Sequence, residues 1–361
     1  MAQDYFNSSP PLTTKSQQEL EDFLVNILDR VIFCCLHHLL CLSGALASIL
    51  NIIILSKYGL HETTSILLFS MSMSDLFCSI VQPIRKLDCI VAQFDPLLAK
   101  NTKFYIGANF FSLPDFFIAI STLHTAVIAV ERLIAVCFPL KMLWIFTTNR
   151  VKCLVLFIYF YVVAMMMPTL FVGEIFWTVD PKTNNTIAEF MFSQFYKSNF
   201  YRMNEFMYFA LPKLLATFPL ALITVCSIII GYKIIVRSKI TLTQMSSIVS
   251  REGKERKVVK MLLTVCVVNA GMFLPTEVIN MYFLYSSTLL RPSDSVYFSL
   301  RSFYIIIGQI KATVNFIIYI TMSSKFELIL KEICYCRKKK KKVIRSAELC
   351  FTFNKERKTL S

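Results

Sequence analysis

The chain has 361 residues, of which 55% are hydrophobic, with 32 Phe, a mean hydropathy of +0.58 and a formal net charge of +15. Charged residues make up 17%, against roughly a quarter in a soluble globular domain. This balance excludes a soluble domain and describes a polytopic membrane protein.

Seven apolar stretches have the length needed to cross a bilayer, about 20 helical residues each. They lie near 31–56, 63–88, 104–137, 151–173, 206–236, 259–286 and 298–322. The expected fold is therefore all-α: a seven-helix transmembrane bundle over 31–322, preceded by an N-terminal segment 1–30. The opening residues lack a basic stretch leading into an apolar core, so no cleavable signal peptide is expected and the first span does the targeting.

Orientation follows from the basic residues, which concentrate in cytoplasmic loops. Lys141, Arg150 and Lys152 lie between spans three and four, Arg237 to Lys260 between five and six, and the tail from Lys325 carries twelve basic and four acidic residues. All three fall on one side. The opposite side holds two glycosylation sequons, at Asn7 and at Asn184. The expected arrangement is a plasma-membrane protein with its N-terminus extracellular. Cys89 alone among twelve cysteines is placed near the outer surface, so no intrachain extracellular disulfide is expected.

In chain order, the second span carries Asp75, whose ionised carboxylate costs on the order of 3 kcal/mol in hydrocarbon and needs a partner. Arg85 and Lys86 cluster at its outer mouth. The third span ends in Glu131-Arg132-Leu133, with Ser121 three turns before Arg132 on the same face. Interfacial anchoring of Arg132 and a specific role for the pair both stand at this point. Pro114, read as interior to this span, frees a carbonyl that neighbours must satisfy. Asp115 follows it. Span five has Lys213 near its outer end and Pro219 in mid-membrane. Span six runs from a basic turn containing Glu255 to Phe273 and Pro275, about 30 Å away at 1.5 Å per residue. Glu277 lies just beyond. Span seven holds Arg301, Tyr304 and Gln309 towards the mouth. Its Lys311, Asn315 and Tyr319 are spaced i, i+4, i+8, so they form one polar stripe facing the bundle.

After span seven, Phe326, Ile329, Leu330 and Ile333 mark a short amphipathic helix within 323–336, lying at the inner interface. Cys334 and Cys336 close it as lipidation candidates. The basic segment 337–361 suits anionic lipid rather than nucleic acid, because it follows a membrane helix. No paired carboxylates, metal-spaced His and Cys, or nucleophile motif appear, so neither an enzyme nor a cofactor is expected.

Taken together, Asp75, Glu131-Arg132-Leu133, Pro219, Phe273-Leu274-Pro275, Asn315-Phe316-Ile317-Ile318-Tyr319 and Phe326 resemble the rhodopsin-like (class A) G-protein-coupled receptors, over about 31–336. The resemblance implies an extracellular ligand, a heterotrimeric G protein as partner, and an activation machinery of Glu131, Arg132, Glu255, Phe273, Pro275, Asn315 and Tyr319. In it Arg132 is held by Glu131 and reached by Glu255. Glu255 as one more charge in a solvated turn is the competing reading.

The chain departs from the family at several places. Phe273 stands for a tryptophan, Phe316 for a proline, Ser227 for a tyrosine, and Gly107 for the disulfide cysteine of the third span; the fourth span lacks its tryptophan. The family often holds a sodium ion between the equivalents of Asp75 and Ser121. Here Lys311 either reaches Asp75 and takes the cation's place, or reaches up into the ligand cavity. The ligand-site residues expected are Arg85, Asp115, Lys213, Glu277, Arg301, Tyr304 and Gln309. Their mixed charge suits a zwitterionic small molecule or a peptide. Wording in stretches such as GLHETTSILLFSMSMSDL resembles divergent invertebrate chemosensory receptors, with a neuropeptide receptor as the alternative. A non-coupling seven-span transporter or scaffold is the reading from another class.

Overall fold

The computed structural model describes residues 31–110, 112–179, 184–241, 259–275, 278, 307, 310–323 and 326–333. Apolar runs form the long helices α1 (His37–Tyr58) and α2 (Thr63–Arg85), joined by a tight turn, with Pro83 in the last turn of α2. Gly59 closes α1 at φ 96°, a backbone angle that glycine adopts without strain. A short α3 (Leu87–Val91) follows, then α4 (Pro96–Phe110) and α5 (Leu113–Cys137). The third span is thus Leu113–Cys137, shorter than the expected 104–137, with α4 a separate helix before it.

The start at Leu113 corrects the placement of Pro114. It sits in the first turn of α5, where its missing N–H is one that no helix would use. The Ser112 carbonyl accepts from Phe116 N at 3.0 Å, and Asp115 adds an acidic group to the positive end of the helix.

A surface helix α6 (Pro139–Ile145) leads to α7 (Thr148–Met166) and a 3-10 turn, Met167–Phe171. The apolar run then continues as strand β1 (Gly173–Val179), paired antiparallel with β2 (Thr186–Phe192). Trp177 faces Ala188 across the hairpin, and Gly173 faces Phe192. A side chain at Gly173 would collide with the Phe190 ring, so the strand begins on the one residue that fits beneath it. Asn184, in the connection, adopts φ 55°. Two short helices, α8 (Gln194–Ser198) and α9 (Phe200–Glu205), precede two π-helical turns, Phe206–Ala210 and Lys213–Thr217. Pro212 and Pro219 bracket the second of these, and the loosened winding accommodates two residues that cannot donate. α10 (Phe218–Thr241), α11 (Val259–Pro275) and α12 (Ile310–Met322) complete the described bundle. The chain then bends by 101° into α13 (Phe326–Ile333).

α5 is the central helix. Ile128 joins Ile54, Leu67, Met71, Leu262, Tyr319 and Phe326 in a cluster at the Arg132 end, and Ile120 packs with Ile158, Val162 and Leu215 further along. Ala126 and Ala129 meet Ile223, Cys226 and Cys266, small side chains that let α5, α10 and α11 approach closely. By contrast, α7 is peripheral: Val151, Ile158, Val162 and Met166 face inward, while Leu156, Phe157 and Phe160 face outward as lipid-facing residues do.

One expectation is overturned. Cys34, assigned to the interior of the first span, is joined to Cys89 by a disulfide with a Cα–Cα distance of 5.7 Å. Apolarity continues through Cys34 without marking depth, and the residue lies in a π-helical turn, Val31–Leu36, just before α1, beside Cys89 of α3. The bond closes a sequence separation of 55 residues. Cys89→Ser should cost about 2–4 kcal/mol of stability, read as a lower melting temperature of the detergent-purified protein. A parent protein melting identically with and without reductant would show that the bond contributes nothing.

Candidate activation and coupling site

Asp75 on α2, Ser121 on α5 and Lys311 on α12 meet in the middle of the bundle. Ser121 Oγ donates to Asp75 Oδ1 at 2.6 Å and accepts from Lys311 Nζ at 2.6 Å. The ammonium and carboxylate lie 3.9 Å apart. At that distance two unit charges attract by about 4 kcal/mol in a medium of effective dielectric constant 20. The Lys311 ammonium also lies 5.1 Å from the centre of the Phe273 ring on α11, within cation–π range. Four helices therefore converge on one buried pair of charges. A small cavity beside it is lined by Asp75, Cys78, Ser79, Ile118, Phe273 and Lys311.

Further along α12, Asn315 Oδ1 accepts from Asn269 Nδ2 of α11 at 3.1 Å. Tyr319 is fully buried, its ring 5.6 Å from that of Phe326 on α13. Lys311, Asn315 and Tyr319 all point inward, as their spacing requires.

At the end of α5, Glu131 is 0% exposed. Its carboxylate is held by the first turn of α2: Thr63 Oγ1 donates to Oε1 at 2.6 Å, and Thr64 Oγ1 at 3.0 Å. Arg132 donates to Glu131 Oε2 at 3.3 Å and also to Thr64 Oγ1. The carboxylate thus sits at the positive end of α2, where negative charge is favoured. Sequence reasoning missed Thr63 and Thr64, because two threonines after a turn are what any helix start looks like. Glu255 lies outside the described residues. So do Glu277, Arg301, Tyr304 and Gln309, the sequon Asn7, and Cys334 and Cys336.

Tyr159 on α7 was also missed. Its hydroxyl lies 3.1 Å from Ser74 Oγ and 3.3 Å from Ser70 Oγ, joining α7 to α2 where the fourth span has no tryptophan. The only signal was a pair of tyrosine hydroxyls, Tyr159 and Tyr161, in an otherwise largely apolar stretch. At the opposite end of the bundle, Arg85 ends α2, Asp115 lies in the first turn of α5, and the Lys213 ammonium sits 3.6 Å above the Phe209 ring. The structure does not bring these three into one contact among the described residues.

The same residues fall within known sequence patterns. The family described as 7 transmembrane receptor (rhodopsin family) matches residues 47–319. A curated relative, the thyrotropin-releasing hormone receptor of Gallus gallus, is 23% identical over 345 residues, covering 90% of this chain and 84% of its own length. α12 bent into α13 and the long apolar helices agree with a seven-span bundle in the membrane. The protein is a receptor and not an enzyme, and the chain belongs to the rhodopsin family of seven-transmembrane receptors.

Proposed function

We propose that the protein is a plasma-membrane receptor of the neuropeptide type, with its N-terminus and β hairpin outside, which passes a ligand-driven change to a heterotrimeric G protein at the Arg132 end. The observation that supports coupling is the state of Arg132. Its guanidinium is turned onto Glu131 and Thr64, a closed packing that a G-protein segment would have to displace. The ligand acts by favouring the open packing, to the extent of its differential affinity for the two.

The neuropeptide reading takes precedence over the chemosensory one because the Gallus gallus relative is by name a hormone receptor. Asp115 and Lys213, of opposite charge and on separate elements of the hairpin end, suit a ligand with both signs of charge. Glu277 and Arg301 extend that set by sequence position. The tail from Arg337 meets anionic lipid on the inner side.

Arg132→Ala at matched surface expression tests the reading. Basal and ligand-stimulated G-protein activation should fall to background. Equal signalling from parent and variant would remove Arg132 from the mechanism, and silence of both with every G protein tried would favour a non-coupling scaffold.

A further inference from the structure

The hairpin has no covalent tie to the helix beneath it. Between Cys89 and Cys137, and again between Cys153 and Cys226, the chain has no cysteine, so neither α4 nor the hairpin carries a thiol. What meets β2 is the side chain of Asn101, on α4. Its Nδ2 donates to Thr186 O at 3.2 Å, and its Oδ1 accepts from Ala188 N at 2.9 Å. Alternate residues of a strand turn their backbone groups to the same edge, so Thr186 O and Ala188 N are the pair that a neighbouring strand would use. A carboxamide presents one donor and one acceptor side by side, as a peptide group does. Ile187 and Ala188 are buried at this contact, whereas Thr186 and the run from Glu189 to Phe192 are exposed.

We propose that Asn101 is a latch: a positioning residue that stands in for a third strand and holds the hairpin against α4 through two exchangeable hydrogen bonds. Asn101 grips β2 near its start, while the far end of the strand is held by the stack of Phe192 on Tyr196 and by the pairing with β1. A disulfide at this place would release only on reduction. The amide latch releases by trading its two partners for water, so the hairpin opens and recloses on the timescale of loop motion. In the receptor reading this sets how a ligand passes the hairpin; the latch itself is tested without any ligand, so it stands or falls separately from coupling.

The test is amide hydrogen exchange on the full-length protein in phosphatidylcholine nanodiscs, comparing the parent with Asn101→Ala, Asn101→Leu and Lys100→Ala. Asn101→Leu keeps the branched outline of the side chain and removes both polar groups. The expected result is exchange at least tenfold faster at the Ala188 amide, whose N–H the latch holds, in Asn101→Ala and Asn101→Leu alike. The amides of α5 and α7 and the melting temperature should stay at parent values, and Lys100→Ala should match the parent throughout. Parent-like protection in Asn101→Leu would make the contact one of packing and overturn the latch. Unchanged exchange in Asn101→Ala, or a rise spread evenly over the spans, would overturn it as well.

Discussion

Asp75→Asn and Lys311→Met should each destabilise the receptor by about 3–5 kcal/mol, while the double variant recovers most of the loss. Each single change leaves one unpaired charge in the bundle, which is the costly state, whereas the double change leaves a neutral amide and an apolar chain of similar size. The readout is the melting temperature of purified protein, set out as a double-mutant cycle. Ser121 belongs to the same unit, because its hydroxyl is bonded to both charges at 2.6 Å. Ser121→Ala should therefore cost less than either charge removal, leaving the 3.9 Å ion pair in place. An Asp75→Asn protein that melts and expresses as the parent does would mean the ion pair is not what holds α2 to α12. A second arm follows from the tethered ammonium. Replacing sodium with a bulky organic cation should leave the parent unchanged, and only Lys311→Met, with its carboxylate exposed to the cavity, should gain a sodium dependence.

Thr63→Val combined with Thr64→Val should raise basal G-protein activation by tenfold or more. Both hydroxyls donate to a fully buried carboxylate, and hydrogen bonds to charged groups contribute about 1.5–3 kcal/mol each. If even about 1.4 kcal/mol of that holds the closed packing over the open one, its loss shifts the equilibrium tenfold. Valine keeps the shape of threonine, so the helix start should survive and surface expression should remain comparable. Adding Arg132→Ala to the pair should abolish the raised signal. Basal activity at the parent level would show that the threonines anchor α2 without biasing the switch.

The spans were legible because the bilayer admits few solutions: a long apolar run with its backbone satisfied internally is a helix. The stripe of Lys311, Asn315 and Tyr319 was legible from its period alone. Where Lys311 reached was not, since a flexible four-carbon stem serves two directions equally well, and the structure places it on Ser121 and Asp75. The hairpin was hidden by the feature that revealed the spans. Apolar residues run from α7 through Met167–Phe171 into Ile175, Phe176 and Trp177, so the fourth span was drawn on to 173. Cys34 was hidden in the same way. Asn101 and Thr63 escaped because a short polar side chain near a helix start has many ordinary uses, and only the partner shows which one applies.

The attachments of α2 have a mechanical consequence. Thr63 and Thr64 fasten one end of it to α5, Ser70 and Ser74 fasten it to α7, Asp75 to α5 and α12, and Cys89 just past its far end to the start of α1. α10 and α11 meet α5 differently, through Ala126, Ala129, Cys226 and Cys266, with no interlocking polar pair in that cluster. Small apolar surfaces slide past one another at little cost, and hydrogen-bonded ones do not. The polar fastenings thus concentrate on α2, while α10 and α11 join α5 through small apolar side chains, and α11 reaches α12 by the hydrogen bond from Asn269 to Asn315 and by the Phe273 ring on the Lys311 ammonium.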